Sequence, residues 1–87
     1  MLNIAFTPKG WSDLIEWSKT DRKTFQKVSI LIEEASKNPF KGTGKPEPLK
    51  HQYKGYYSRR ITEEHRLVYM VTENTIQIIS CKYHYHD

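Results

Sequence analysis

The chain has 87 residues and a single cysteine, which fits one domain spanning residues 1–87 and excludes an internal disulfide framework. Lys and Arg outnumber Asp and Glu by 14 to 10, and the formal net charge of +4 favours a polyanionic partner. The first residues lack the basic and apolar regions of a signal peptide, and no apolar run reaches transmembrane length. We therefore expect a soluble, cytoplasmic protein without a membrane partner.

The first half of the chain predicts one strand and two helices. Residues 2–6 alternate apolar with small or polar side chains, as in a short strand. The Thr-Pro pair at 7–8 is a helix-start signal, and apolar residues then recur at helical spacing to about Lys19. Asp21 caps a second helix, whose apolar residues repeat at intervals of three and four to about Lys37.

The second half changes character after the helices. Residues 38–48, "NPFKGTGKPEP", hold three of the four prolines and two of the four glycines, which predicts a constrained loop. Three β-rich runs follow at 56–61, 65–71 and 75–85, joined by short polar breaks, as in an antiparallel meander. The order β-α-α-β-β-β is typical of an α+β fold in which two helices cover one face of an antiparallel sheet. Polar residues of the meander must then point to the opposite, open face.

The C-terminal half also gathers the groups needed for metal-free RNA cleavage. Such a reaction needs a base for the 2′-hydroxyl, a cation for the crowded phosphorane and an acid for the 5′-oxygen. Aromatic rings can in addition stack on bases. Besides its tyrosines, the segment carries Glu47, Lys50, His51, Arg59, Arg60, Glu63, Glu64, His65, Arg66, His84 and His86.

Two patterns within this set leave alternatives open. Arg59 and Arg60 are consecutive strand residues, so only one of them faces the open surface unless a bulge intervenes, and the other is structural. Cys81, His84 and His86 have the residue types of a zinc site. Strand alternation places Cys81 on the face opposite His84, however, and a fourth ligand is lacking, which argues against a metal.

Three motifs point to a known family. The stretches "NPFKGTGKPEPLKH", "YYSRRITEEHRLVYMV" and "CKYHY" together resemble the YoeB toxins of the RelE/ParE superfamily, and the likeness extends over nearly the whole chain. The resemblance implies a compact fold like that of microbial ribonucleases and a ribosome-dependent endoribonuclease that cuts mRNA codons in the ribosomal A site without a cofactor. It also implies a labile YefM-like antitoxin, contact with DNA only through that antitoxin, and a homodimer.

The resemblance also implies roles for particular residues. The glutamate of KPEP corresponds to Glu47, as general base, and the arginine of EEHRLVY to Arg66, which would stabilise the phosphorane. In YHY, His84 corresponds to the general acid and Tyr85 to a residue that orders the substrate. The residues that resemble helpers in RNA or ribosome binding are Lys45, Lys50, His51 and Arg59.

Two alternatives remain at this point. A ParE-like chain would inhibit DNA gyrase, but those toxins lack the Glu-Arg-His-Tyr set that is present here. A basic module could also block the ribosome without cutting RNA. The chain departs from the family pattern at its end, where His86 and Asp87 follow the tyrosine at which relatives typically stop.

Overall fold

A computed structural model describes residues 1–83 of the chain and shows two helices packed on a five-stranded sheet. The α+β class and the two-helix, β-rich order are confirmed. The strands lie in the spatial order β1-β5-β4-β3-β2. In chain order the elements are β1 (Asn3–Phe6), α1 (Pro8–Thr20), α2 (Arg22–Lys37), β2 (Glu47–Pro48), β3 (Tyr56–Arg60), β4 (Arg66–Val71) and β5 (Thr75–Ser80).

Both helices begin where capping residues satisfy their free N–H groups. The Thr7 hydroxyl accepts a hydrogen bond from the Gly10 N–H at 3.0 Å, and Pro8 occupies the first turn. The Asp21 carboxylate caps α2 by accepting from the Thr24 N–H at 3.1 Å. This bond lowers the pKa of Asp21, because it stabilises the charged form.

The core lies between the helices and one face of the sheet. Alternation along β4 and β5 directs Leu67, Tyr69, Ile76 and Ile78 toward the helices. Gly10 allows α1 to approach β5 closely, because a Cβ atom at this position would overlap the carbonyl oxygen of Ile78. The buried apolar cluster comprises Trp17, Val28, Leu31, Ile32, Ala35, Ile61, Leu67, Tyr69, Ile76, Ile78 and Cys81. Neither helix in the described part is long and apolar enough to span a bilayer.

The sheet differs from the predicted meander in three ways. It is mixed, because β1 pairs in parallel with β5, with Asn3 opposite Thr75 and Phe6 opposite Ile78. The segment predicted as a loop at 38–48 contributes the short edge strand β2, which pairs with β3. The last strand ends at Ser80 and not near residue 85, so the alternation used to separate Cys81 from His84 does not continue that far.

Candidate active site on the open face of the sheet

A small cavity of about 110 Å³ opens on the sheet face that the helices leave uncovered. Three adjacent strands supply its walls, because β2 pairs with β3 and β3 pairs with β4. The cavity is lined by Gly44, Lys45, Glu47, Ser58, Arg60 and Arg66. The described residues thus supply one carboxylate and three cationic side chains, a combination suited to binding an anion next to a general base.

The sheet register explains how these side chains meet. Glu47 lies opposite Ser58 in the β2–β3 pair, and Arg60 lies opposite Arg66 in the β3–β4 pair. Ser58 and Arg60 are two residues apart on one strand and therefore share a face. Like charges directly across a strand pair repel each other, so an anion bound between Arg60 and Arg66 would relieve an unfavourable interaction.

Arg66 is held in place by its neighbours in the chain. Its Nη1 group donates to the carbonyl oxygens of Thr62 at 2.9 Å and of His65 at 3.3 Å. Its backbone N–H donates to the carbonyl oxygen of Tyr83 at 3.2 Å. These contacts fix the half-buried side chain at the cavity wall. Of its terminal nitrogens, only Nη1 is hydrogen-bonded within residues 1–83, so this part of the chain leaves donors of the guanidinium for a ligand.

The loop before Glu47 has a strained backbone and packs closely against β3. Lys45 has a positive φ of 51°, which is uncommon for a residue with a side chain, and it precedes a proline. The carbonyl of Gly44 accepts the Arg60 N–H at 2.8 Å. Gly44 has a φ of 84°, and a Cβ atom there would lie 3.0 Å from the Arg60 carbonyl oxygen. Strain of this kind concentrates at functional sites, where the surrounding structure maintains it.

Arg59 lies on the other face of β3 and is fully buried. Its guanidinium donates to the carbonyl oxygens of Asn38, Lys41 and Thr43 and to the carboxylate of Glu34. Its Nε donates to the Tyr69 hydroxyl at 3.1 Å. This placement corrects the expectation that Arg59 contacts RNA, because a fully enclosed guanidinium cannot reach a ligand at the surface.

The same contacts give Arg59 a structural role. It joins three carbonyls of the 38–43 segment to β3, just before the residues that enter the cavity. Glu34 supports the segment from α2, because its Oε1 accepts the Thr43 N–H at 2.6 Å. The hydrogen bonds from Thr43, followed by the charge of Arg59, lower the pKa of Glu34.

The structure brings some of the predicted site residues together and leaves others apart. Glu47, Lys45 and Arg66 line the cavity, whereas Lys50 and His51 are exposed in the turn after β2 and do not line it. His84 and Tyr85 lie outside the described residues.

Arg60 and Ser58 were missed as site residues. Strand alternation divided Arg59 from Arg60 correctly but could not say which one faces the core. Arg60 lies opposite Arg66 in the β3–β4 pair, and this pairing places it at the cavity. The pairing follows from the position of the bend between β3 and β4, which the sequence pattern does not fix.

The chain following β5 is anchored beside this site. The Cys81 N–H donates to the Asp13 carboxylate at 3.0 Å, and the Cys81 carbonyl accepts from the Trp17 indole at 2.7 Å. The Tyr83 N–H donates to Nδ1 of His65 at 2.8 Å, which requires that nitrogen to be unprotonated. Because the Tyr83 carbonyl bonds to Arg66, the residue that precedes His84 in the chain is attached to the cavity wall.

Cys81, one member of the predicted metal pattern, faces the interior. Its thiol is fully buried and lies 3.8 Å from the carbonyl oxygen of Gly10. Burial, together with the nearby charge of Asp13, raises the pKa of Cys81 to about 12. A buried thiol with such a high pKa is a poor metal ligand, because metals bind the thiolate. Within residues 1–83, no group of three or more His, Cys, Asp or Glu side chains is placed to hold a metal ion.

The fold assigns the chain to a structural class. A two-helix, mixed-sheet chain with the same arrangement occurs in the toxin–antitoxin complex RelBE2 of Mycobacterium tuberculosis, which superposes with a TM-score of 0.75 at 21% identity, a likeness of fold alone. The chain is thus a small α+β protein that shares the fold of a chain in that complex. More specifically, residues 6–85 match the family model of the YoeB-like toxins of bacterial type II toxin-antitoxin systems, and the chain belongs to that family.

Individual relatives match over their whole length. Toxin YoeB of Escherichia coli K12 is 46% identical over 84 residues, which cover 97% of this chain and all of the relative. The YoeB/ParE toxin from Agrobacterium tumefaciens is 42% identical and superposes with a TM-score of 0.91, covering 97% of this chain and all of that one.

Staphylococcus aureus YoeB provides two further solved structures. In its complex with YefM it is 46% identical, with a TM-score of 0.87 and coverage of 98% of this chain and 99% of that one. As a YoeB dimer it is 48% identical, with a TM-score of 0.88 and coverage of 97% and 98%.

Proposed function

We propose that this toxin is a ribosome-dependent endoribonuclease that cuts mRNA codons in the ribosomal A site by metal-free acid–base catalysis. The observation that carries the proposal is the cavity in which Glu47 lies with Lys45, Arg60 and Arg66. A carboxylate surrounded by cations on an open sheet face suits a substrate that is an anion and must also lose a proton.

The proposed reaction uses the described residues as follows. Glu47 accepts the proton of the 2′-hydroxyl, and the 2′-oxygen forms a bond to the neighbouring phosphorus. The guanidinium groups of Arg66 and Arg60 stabilise the additional negative charge on the phosphorane oxygens. The bond from phosphorus to the 5′-oxygen then breaks, which leaves a 2′,3′-cyclic phosphate and a new 5′-hydroxyl.

His84 and Tyr85 complete the proposal. We assign His84 as the acid that protonates the departing 5′-oxygen, and Tyr85 as a residue that orders the substrate. Both follow Tyr83, whose backbone bonds to Arg66 and to the His65 side chain. Lys50 and His51, on the exposed turn after β2, are proposed to contact ribosomal RNA outside the cavity.

We infer that catalysis depends on the ribosome. Glu47 is exposed, and ordering of the substrate by the ribosome would supply the proximity that speeds the reaction. A pure binder of the ribosome would gain nothing from a carboxylate placed among cations, because the carboxylate repels phosphate.

Two partners follow from family membership. We propose that the chain binds a YefM-like antitoxin and contacts DNA only through it, and that it forms a homodimer. The Staphylococcus aureus YoeB structures, one with YefM and one a dimer, support both proposals. Co-expression with a YefM antitoxin, followed by size-exclusion chromatography with light scattering, tests the first, and the same chromatography of the chain alone tests the homodimer.

The decisive test is a cleavage map in a bacterial translation extract. We expect cuts within A-site codons for the native chain, and rates lower by about 10²- to 10³-fold for Glu47→Gln and Arg66→Ala. Glu73→Gln and Arg22→Ala are matched controls at exposed positions outside the cavity and should cut like the native chain. Translational arrest without cuts would indicate a binding protein, and gyrase inhibition with intact mRNA would indicate a ParE-like toxin.

A further inference from the structure

A second cavity lies directly beside the candidate active site. It measures about 240 Å³, more than twice the 110 Å³ of its neighbour. Its lining consists of Lys27 on α2, the loop residues Thr43, Gly44 and Lys45, and Arg60 on β3. Gly44, Lys45 and Arg60 line both cavities, so they form a shared wall.

Among residues 1–83, the charged side chains of this second cavity are all positive. Lys27, Lys45 and Arg60 contribute three cations, and no acidic side chain of this part of the chain lines the cavity. Among residues 1–83, none of these three groups is engaged in an ion pair. A concave surface with charges of one sign concentrates the field and attracts an oppositely charged ligand.

Glu34, the acidic residue that contacts the loop at Thr43, is already neutralised. Glu34 accepts the backbone N–H of Thr43 at 2.6 Å and pairs with the buried Arg59 at 3.3 Å. Its charge is therefore compensated from beneath the loop, and the excess positive charge of the cavity remains available. Gly44 lies between the two cavities with a backbone conformation that side chains rarely adopt, which leaves the shared wall without a side chain at that point.

We propose that this second cavity binds the RNA phosphodiester next to the one that is cut, with Lys27 as its distinguishing contact. The proposal rests on the nuclease function given above. A nucleic-acid strand presents phosphates at regular intervals, and Lys45 and Arg60 can bridge two consecutive ones from the shared wall. The mRNA strand is the expected source, because the cavity adjoins the site where the mRNA would be cut.

The test compares Lys27→Ala with Lys23→Ala, one turn earlier on the same helix. Both lysines are exposed and both substitutions remove one charge, but Lys23 does not line the cavity. The probe is a single-stranded RNA hexanucleotide with 2′-O-methyl riboses, which cannot be cleaved. Fluorescence anisotropy at several salt concentrations gives the affinity and its salt dependence.

We expect Lys27→Ala to weaken binding several-fold and to reduce the slope of log K against log salt by about 0.7, the value for one phosphate contact on a single strand. Lys23→Ala should leave the slope unchanged. Equal slopes for the two variants would overturn the proposal. Because both side chains are exposed, unchanged melting temperatures should confirm that neither variant is misfolded.

A second arm identifies the source of the phosphodiester. Binding is measured to ribosomes whose A site holds a 2′-O-methylated codon and to ribosomes whose message ends at the P site. A Lys27→Ala defect confined to the filled A site supports mRNA as the ligand. An equal defect in both would assign the contact to ribosomal RNA and overturn the assignment.

The two proposals can fail separately. If the native chain cuts A-site codons and Lys27→Ala binds like Lys23→Ala, the nuclease function stands and the second cavity is not a subsite. If binding depends on Lys27 but the native chain makes no cuts, the cavity is a phosphodiester site and the nuclease function is overturned.

Discussion

Two neighbouring residues of the same type have opposite environments in this protein. Arg59 is fully buried and bonds to three loop carbonyls, Glu34 and Tyr69. Arg60 is exposed and lines both the candidate active site and the second cavity. The alternation of side chains along β3 creates this division. A buried guanidinium requires hydrogen-bond partners for its N–H groups, and the 38–43 segment supplies most of them.

The two arginines should therefore respond oppositely to mutation. Arg59→Ala removes the donor to three part-buried loop carbonyls and a partner of the Glu34 carboxylate, and it should lower the free energy of unfolding by about 3 kcal/mol. Arg60→Ala should change the free energy of unfolding by no more than about 0.5 kcal/mol. Arg60 is exposed, and its charge lies opposite the like charge of Arg66, so its removal costs the fold little. Urea denaturation measures both effects.

Cleavage on ribosomes provides the complementary measurement. Arg60→Ala should reduce the rate by about 10²-fold, because a donor to the transition state is removed from a folded protein. The assignment of the two side chains would be reversed if Arg60→Ala unfolded the chain and Arg59→Ala left its stability unchanged.

At the scale of elements, the sequence predicts local structure better than pairing between distant segments. Thr7, Pro8 and Asp21 mark the helix starts because capping depends on near neighbours. The parallel pairing of β1 with β5 depends on residues about 70 positions apart, which no local pattern encodes. The strand β2 was hidden because Glu47 and Pro48 lie in a proline-rich stretch, and an edge position tolerates the missing N–H of Pro48.

The residues of the candidate site could likewise be predicted only in part from the sequence. Motif resemblance predicted Glu47, Arg66 and Lys45, and all three line the cavity, although their roles stay predictions. Arg60 required the register of β3 against β4, and the role of Arg59 required knowledge of which face the helices cover. The early end of β5 at Ser80 could not be predicted, because β-prone residues continue to Tyr85 in the sequence.

The loop that carries Glu47 depends on close packing at Gly44. Gly44→Ala introduces a strained φ and a Cβ atom 3.0 Å from the Arg60 carbonyl oxygen. Gly55→Ala is a matched control, because Gly55 also has a positive φ, of 100°, but a Cβ atom there would have nothing within 4 Å.

We expect both substitutions to cost about 1 kcal/mol of backbone strain, and Gly44→Ala to cost a further 1–2 kcal/mol for the clash. Only Gly44→Ala should also slow cleavage, because the loop must shift away from β3. Thermal unfolding and single-turnover cleavage separate the two effects. Equal cleavage rates for the two variants would show that the packing of Gly44 does not control the position of Glu47.

At the scale of the whole molecule, the last described residues return to the first helix. Cys81 bonds to Asp13 and Trp17, and the Lys82 ammonium pairs with the Glu16 carboxylate at 2.7 Å. The first half of the chain thus holds the segment after β5, whereas Lys45, Glu47, Ser58, Arg60 and Arg66, which line the cavity, all come from the second half. Contacts between such distant residues form only when the entire domain is folded, so the position of the segment that leads to His84 depends on global stability.

The Lys82–Glu16 pair provides a pH-dependent test of this anchoring. The hydrogen bond to Lys82 lowers the pKa of Glu16, and the bond to Glu16 raises the pKa of Lys82. A carboxylate with a lowered pKa stabilises the fold above its usual pKa of about 4.5, and this contribution is lost as the pH falls through the lowered value. An ammonium with a raised pKa stabilises the fold below about 10.5, and its contribution is lost as the pH rises through the raised value.

Glu16→Gln should therefore lower the melting temperature at every pH between these two limits by a similar amount. The difference from the native chain should disappear in acid, where Glu16 is protonated in both the folded and the unfolded native chain. Glu33→Gln is the matched control, since Glu33 faces Lys37 at 4.0 Å with both side chains largely exposed, and it should produce a smaller change at neutral pH.

In a double-mutant cycle, Lys82→Met should add little to Glu16→Gln, because either substitution alone removes the pair. Additive effects of the two substitutions would show that the pair does not hold the C-terminal segment against α1.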